Sequence, residues 1–240
     1  MGSKWAVLAF SLVMLFSSLP LLNALPANFT LTHPTAVFTE EATTYSALFY
    51  AANETTGESL FPLTPTEHNA SCTYVYGGNT SFAFSYNTST QAYTRMLVYQ
   101  NSGNYSFNVI CSANGFDSAT LENLTQEVLP APTDFLTTLS TNDTFATVGV
   151  TYYSQISGRL LTPENNGQCN ASIYENDTGN LALETVLNYS NSSEAFQATV
   201  ELSSGAYYWN ISCAGGADFQ SVTGQSQQDF YIDEISCQEE

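Results

Sequence analysis

Between Gly205 and Ala214 apolar and polar side chains alternate. Tyr207, Trp209, Ile211 and Cys213 fall on one side of an extended chain, and Ala206, Tyr208, Asn210 and Ser212 on the other. The same period of two runs through Tyr105, Phe107, Val109 and Cys111, with Asn104, Ser106 and Asn108 opposite them. It recurs in Cys169, Ala171 and Ile173, in Ala198, Val200 and Leu202, and in Val148, Val150 and Tyr152. Glycine, proline, serine and asparagine punctuate these runs about every ten residues, as turns between short strands do. Beyond the N-terminal segment no apolar stripe follows the helical period, and the abundant Thr, Tyr and Val favour strands. The pattern predicts an all-β fold.

The chain is also self-similar. Ser102 to Cys111 aligns without a gap on Ser204 to Cys213 as S-G-x-Y-x-[FW]-N-[VI]-x-C. Three further pairs keep the same order: Leu63-Thr64-Pro65 with Leu161-Thr162-Pro163, Cys72 with Cys169, and Ala92-Tyr93 with Ala195-Phe196. The unit is therefore expected to be one small β-domain of seven or eight strands, present twice. The expected organisation is a signal peptide over 1–24, a first domain over 25–129, a stiff Pro-rich linker over 130–134 and a second domain over 135–240.

Composition adds a location. Lys4 precedes a 12-residue apolar run, Trp5 to Phe16, with Pro20 and small residues at Ala24 and Ala27 after it, the layout of a secretory signal helix cleaved at one of those alanines. The alternative is an uncleaved anchor, for which the run is short. No second hydrophobic run follows, so no membrane span is expected after signal removal. Thirteen of the asparagines stand in N-x-[ST]: Asn28, Asn53, Asn69, Asn79, Asn87, Asn104, Asn123, Asn142, Asn170, Asn176, Asn188, Asn191 and Asn210. Chance at this Ser/Thr content would give about five, so the excess points to N-glycosylation. A Thr/Asn-rich surface that meets no transferase is the alternative.

Formal net charge is -19, and Lys4, Arg95 and Arg159 are the only lysine or arginine residues. Such a balance excludes nucleic acid as a partner and disfavours anionic lipid surfaces. Without lysine after the leader there is no Schiff-base or P-loop chemistry.

In an exported chain the five cysteines become disulfide candidates. Cys72 with Cys111, and Cys169 with Cys213, occupy matching places in the two copies and are paired on that ground; buried free thiols are the alternative. Cys237 has no counterpart and is left unpaired or intermolecular.

The leader, the duplicated unit of about a hundred residues and the S-G-x-Y-x-[FW]-N-[VI]-x-C string resemble the tandem immunoglobulin-like repeats of archaeal cell-surface proteins. Small residues follow each string, Ser112-Ala113-Asn114-Gly115 and Ala214-Gly215-Gly216. The resemblance implies disulfide-bridged β-sandwiches displayed on a cell envelope, and it brings no catalytic residue. Unlike antibody-type domains, Tyr105 and Tyr207 stand six residues before the second cysteine, and no Trp stands shortly after the first.

Chemistry is sparse. His33 and His68 are the only imidazoles. Nucleophile-elbow, zincin, CxxC and P-loop strings are missing from the sequence. Glu40-Glu41 and Glu175-Asp177 are acid pairs in turn-like surroundings. Glu175 to Asn180 is oxygen-rich but lacks the order of a calcium loop, so it reads as a hairpin turn. No catalytic, cofactor or metal residue is assigned. Tyr208 faces away from the cysteine side, which fits a contact surface, shielding beneath a glycan on Asn210, or no function at all.

The leading expectation is a non-enzymatic secreted or cell-surface glycoprotein acting as a structural or adhesive module. Its partners are expected to be other surface proteins, copies of itself, or a glycan or peptide ligand. A second expectation is a subunit of an extracellular filament or pilus, in which the segment Leu25 to Val37 is donated as a strand to a neighbour. A secreted hydrolase or a sugar-binding lectin is a third.

Overall fold

The computed structural model describes residues 24–77, 80–142, 144–225 and 229–233. Residues 1–23 of the expected signal segment, Asn79 and Cys237 lie outside them. Among the described residues ten strands precede Pro130: β1 (Ala27–Thr32), β2 (Ala36–Phe38), β3 (Ala42–Ala52), β4 (Ser59–Pro62), β5 (Ser71–Tyr76), β6 (Thr80–Ala83), β7 (Ser85–Asn87), β8 (Ala92–Val98), β9 (Gly103–Ser112) and β10 (Ala119–Leu129). Eight follow: β11 (Thr133–Thr141), β12 (Phe145–Ser154), β13 (Gln168–Glu175), β14 (Leu181–Ser190), β15 (Ala195–Glu201), β16 (Gly205–Ala214), β17 (Val222–Gln225) and β18 (Phe230–Ile232). Among the described residues helix is confined to α1 (Pro65–His68) and a single 3-10 turn (Pro163–Asn165). The protein is all-β.

Two compact units are distinguished. One holds the chain through Thr32 with Ser46–Arg95 and Asn108–Glu122; the other holds His33–Tyr45, Met96–Phe107 and the chain from Asn123 onward. In the second, one continuous path of strands runs β11-β12-β15-β14-β13-β16-β17, with β18 also on β16. Val148, Val150 and Phe196 from β12 and β15 join Ala171, Ile173, Trp209 and Ile211 from β13 and β16 in a single buried cluster. Two layers therefore face each other across one core, an immunoglobulin-like β-sandwich. β14 links the layers: Leu181 to Leu187 pairs with β13, and Asn188 to Ser190 with β15. The burial pattern of β16, with Tyr207, Trp209, Ile211 and Cys213 inside, is the alternation read from the sequence.

The strands ahead of Pro130 form two five-stranded sheets. One has the order β1-β3-β8-β7, with β4 added to β3, and the other β2-β10-β9-β5-β6. Ten strands exceed the seven or eight expected, for local reasons. Pro34 has no N–H to give a ladder, and it falls in the break between β1 and β2. β1 pairs antiparallel with β3, whereas β2 runs parallel to β10. The hairpin partner β4 and the division of β6 from β7 at Phe84 add the others. Within residues 130–134, Ala131 is buried in the core cluster and bridges to Phe219.

The S-G-x-Y string has a local explanation in each copy. The Tyr207 hydroxyl donates to the Ser203 carbonyl (2.9 Å), and the Tyr105 hydroxyl to the Asn101 carbonyl (2.8 Å). Each ring reaches back four residues and ties the strand start to the turn before it, the work of a tyrosine corner. Gly103 enters β9 at φ +138, where a Cβ would be strained. Removing this hydroxyl leaves a carbonyl with one partner fewer, so Tyr207→Phe is expected to cost about 1 kcal/mol. Tyr231→Phe, on an exposed ring, is expected to cost nothing measurable. Urea unfolding of the two variants makes the comparison; equal midpoints would refute the corner.

Candidate functional site

The two disulfides are built from the alternation itself. Cys169 on β13 stands directly opposite Cys213 on β16 in an antiparallel ladder, with Cα atoms 4.2 Å apart. Cys72 on β5 is bonded to Cys111 on the neighbouring β9, with Cα atoms 4.1 Å apart. Both bridges therefore lie within one layer and span adjacent strands; in antibody domains the bridge crosses between layers. All four sulfur residues are buried. Their loops close sequence separations of 39 and 44 residues.

Twelve of the predicted sequon asparagines are described. Asn28, Asn104, Asn170, Asn188 and Asn210 sit on strands, with Asn123 at φ 56 on β10. Asn53, Asn69, Asn87, Asn142, Asn176 and Asn191 lie in turns or at element ends. None is buried: Asn53 and Asn210 are half-buried and the other ten exposed. At Asn53, Asn87 and Asn142 the side-chain Oδ1 accepts the backbone N–H of the sequon's own Ser or Thr, at 2.8, 2.9 and 3.3 Å. These are Asx turns, in which the side-chain carbonyl oxygen is held by the backbone.

The candidates for acid–base chemistry are spread over the fold. The His33 ring stacks on Tyr45 (5.7 Å) and meets Phe107 edge-on, and its Nδ1 lies 2.9 Å from the Pro34 carbonyl. His68 closes α1, with its ring stacked on Phe61 (5.7 Å) and edge-on to Phe116 (5.6 Å). Glu41 caps the Phe38 N–H (2.8 Å), while Glu40 is ion-paired with Arg159 (2.7 Å) and accepts from the Ser157 hydroxyl (2.6 Å). Glu175 to Asn180 forms a tight hairpin, in which Gly179 N–H donates to the Glu175 carbonyl (2.8 Å) and the Thr178 hydroxyl to the Glu175 carboxylate (2.7 Å). Among the described residues no group of three or more His, Cys, Asp or Glu is placed to hold a metal ion.

Three surface grooves stand out. In the second unit a polar groove of about 580 Å³ is lined by residues including Asn166, Gln168, Asn188 and Tyr189. In the first unit a groove of about 340 Å³ holds Leu48, Tyr50, Leu60 and Phe61. Another, of about 280 Å³, shares Leu60 and Phe61 and carries a single carboxylate, Glu54.

The segment Leu25 to Val37, the expected donor strand, is taken up within its own chain. Six residues of β1 pair with β3, from Ala27 opposite Ala51 to Thr32 opposite Ser46. No helix among the described residues is long and apolar enough to cross a membrane, which says nothing of a β-barrel.

Buried tyrosines carry the clearest electrostatic perturbation. Tyr93 donates to the Leu63 carbonyl (2.8 Å), and burial, with Tyr86 beside it, raises its hydroxyl well above the ordinary 10.0. Burial raises Tyr152 as well, a hydrogen bond with Thr133 partly opposing it; Tyr207 is raised by burial and then by Glu175.

By sequence the chain matches no family profile and no curated protein. Solved structures to which it is similar include the fibronectin(III)-like modules of CbhA from Clostridium thermocellum, 11% identical, covering 88% of this chain and 98% of that one at TM-score 0.32. Another is the chicken interferon gamma receptor alpha chain, 10% identical over 88% of this chain and 100% of that one, at TM-score 0.40. A third is dimeric latent PorU from Porphyromonas gingivalis, 12% identical, covering 90% of this chain and 21% of that one at TM-score 0.33.

Two outcomes are expected. Replacing both cysteines of the second bridge (Cys169→Ala with Cys213→Ala) should lower stability by about 4 kcal/mol in the chain-entropy treatment. Urea titration would measure it, and an unchanged midpoint would remove the bridge from the account. For pH, the raised tyrosines favour the neutral form in the folded state, so their contribution is fully present below the unfolded pKa of about 10. Above that pH the unfolded chain loses protons first, and stability falls as pH climbs toward the folded values. The urea midpoint should be flat from about pH 7 to 9 and then decline, less steeply in Tyr93→Phe than in the parent; identical slopes would contradict the assignment.

Proposed function

We propose that the protein is an exported, non-enzymatic glycoprotein of the cell surface, in which two immunoglobulin-like sandwiches act as structural or adhesive modules. The observation that carries this reading is the placement of the sequons. Every described sequon asparagine reaches solvent while the four bonded cysteines are buried. Exported, oxidising surroundings suit both features.

Duplication of the module is part of the proposal, and matching local structures support it. Each Leu-Thr-Pro string starts a helical turn with Pro at its first positions and a left-handed Asn after it, Asn69 (φ 49) and Asn166 (φ 59). Each copy has a disulfide between neighbouring strands and a tyrosine corner on the strand bearing its second cysteine. Mechanism here is presentation: small cross-linked cores hold sheet faces rigid, and a surface rich in acids and hydroxyls stays soluble. In the filament reading, donating β1 would first break its six-residue ladder with β3, so a dispersed module is preferred.

Two measurements test the proposal together on the full chain secreted with its own leader. Glycopeptide mass mapping is expected to find sugar on several described sequons, and sedimentation to find a concentration-independent monomer or dimer. A chain bare at every sequon sinks the glycoprotein reading, and fibres growing with concentration favour the filament.

A further inference from the structure

The outer face of the β13–β16 pair is ordered in rungs. Tyr174 lies opposite Tyr208, Ser172 opposite Asn210, and Asn170 opposite Ser212. The burial patterns of the two strands put all six side chains on the side away from the core. The two tyrosine rings stack, with centroids 5.3 Å apart and planes 13° from parallel. Asn210 is thus two residues from Tyr208 on the same face, diagonal to Tyr174, with the small Ser172 across from it on β13 and Gln225 across from it on β17. Among the described residues no hydrogen bond engages the Asn210 side chain, and its amide is half-exposed.

We infer that Asn210 carries an N-linked glycan whose innermost sugar lies down on the Tyr174–Tyr208 stack. The chemistry is an amide glycosylation. Asn210 Nδ2 attacks the anomeric carbon of an oligosaccharide carried on a polyprenyl phosphate; the carbon–phosphate-oxygen bond breaks, the lipid phosphate leaves, and one amide proton is lost. Pyranose C–H groups then find aromatic faces on one side of the attachment point, whereas the next rung on the other side, Asn170 with Ser212, is polar. Burial of the sugar's apolar face and the attraction of its C–H dipoles to the ring faces favour the first. The inference rests on the glycoprotein reading above and specifies one of its sites.

The test uses the full chain secreted from insect cells, as parent, Ser212→Ala, Tyr208→Leu and the double variant. Ser212→Ala destroys the sequon while keeping Asn210. Glycopeptide mapping should find sugar on Asn210 in the parent and in Tyr208→Leu. Ser212→Ala is expected to lower Tm by roughly 2–4 °C in the parent background, and to change it little in the Tyr208→Leu background. Equal losses in the two backgrounds overturn the contact. A readout independent of Tyr208→Leu is nitration by tetranitromethane, normalised to Tyr153 on β12. Tyr208 should react several-fold more slowly in the glycosylated parent than in Ser212→Ala, and equal rates overturn the proposal. A bare Asn210 beside other occupied sequons defeats this inference alone, whereas a wholly unmodified chain defeats the glycoprotein reading with it.

Discussion

Register between β13 and β16 is the constraint on which the second unit's architecture depends. A strand slipped by one residue turns every side chain to the opposite face. Here that would put Ala171 and Ile173 in water and Ser172 and Tyr174 in the core. Cys169 opposite Cys213 forbids the slip covalently. Once fixed, the register sets both faces together. On the inner face Ile173 comes opposite Trp209, at the centre of the buried cluster; on the outer face Tyr174 comes opposite Tyr208 and Ser172 opposite Asn210. A cross-strand bridge thus acts as a ruler for core and surface alike, a role that a bridge between layers would not fill.

Charge is the second constraint. Apart from Lys4 the chain has two basic side chains against 22 acids, and both arginines are used structurally. Arg159 pairs with Glu40 and lies 5.2 Å from the centre of the Phe219 ring, while Arg95 lies 5.1 Å from that of Phe82 and donates to the Ala83 carbonyl (3.5 Å). Little cation is left to neutralise the acidic exterior. Stability therefore comes from aromatic cores, ladders and sulfur bridges more than from surface ion pairs, whose individual worth is small in any case. A strongly anionic exterior keeps copies apart at low salt.

Much of this was legible in the sequence because a strand with one buried face writes its orientation into every second residue. The alternation at Tyr207 to Cys213 translates directly into burial, and the duplicated S-G-x-Y string pointed to the paired sulfurs before any fold was known. Other features required the partner strand. Tyr208 announces itself as outward-facing, but that Tyr174 stacks on it depends on register, which no single strand encodes. The transfer of β14 from one layer to the other at Leu187 leaves no mark, because both of its halves are strand-like. The division of β1 from β2 was readable in principle from Pro34, since a residue without an N–H ends a ladder. The tyrosine corner was half legible: ring burial follows from the face, whereas the hydroxyl's reach to a carbonyl four residues back depends on the turn at the strand start.

The exposed apolar side chains give the proposed glycans a physical purpose. Val186 is 64% exposed and lies opposite Asn170 on β13, two residues from Asn188. Phe145 is also exposed, and its N–H donates to the side chain of Asn142 (2.9 Å). Tyr208 stands beside Asn210. At each place a sequon adjoins a side chain that would otherwise offer apolar surface to another molecule, and a bulky polar chain anchored there would keep strand faces from associating. Leu136 is different. It is 64% exposed on β11, the end strand of its sheet path, with no sequon on that strand. If glycans cover Val186, Phe145 and Tyr208, contact with a neighbouring protein is left to positions such as Leu136, Met96 on β8 and Tyr231 on β18, whose strands carry no sequon, so the sugars would decide where the chain can be touched as well as keeping copies apart.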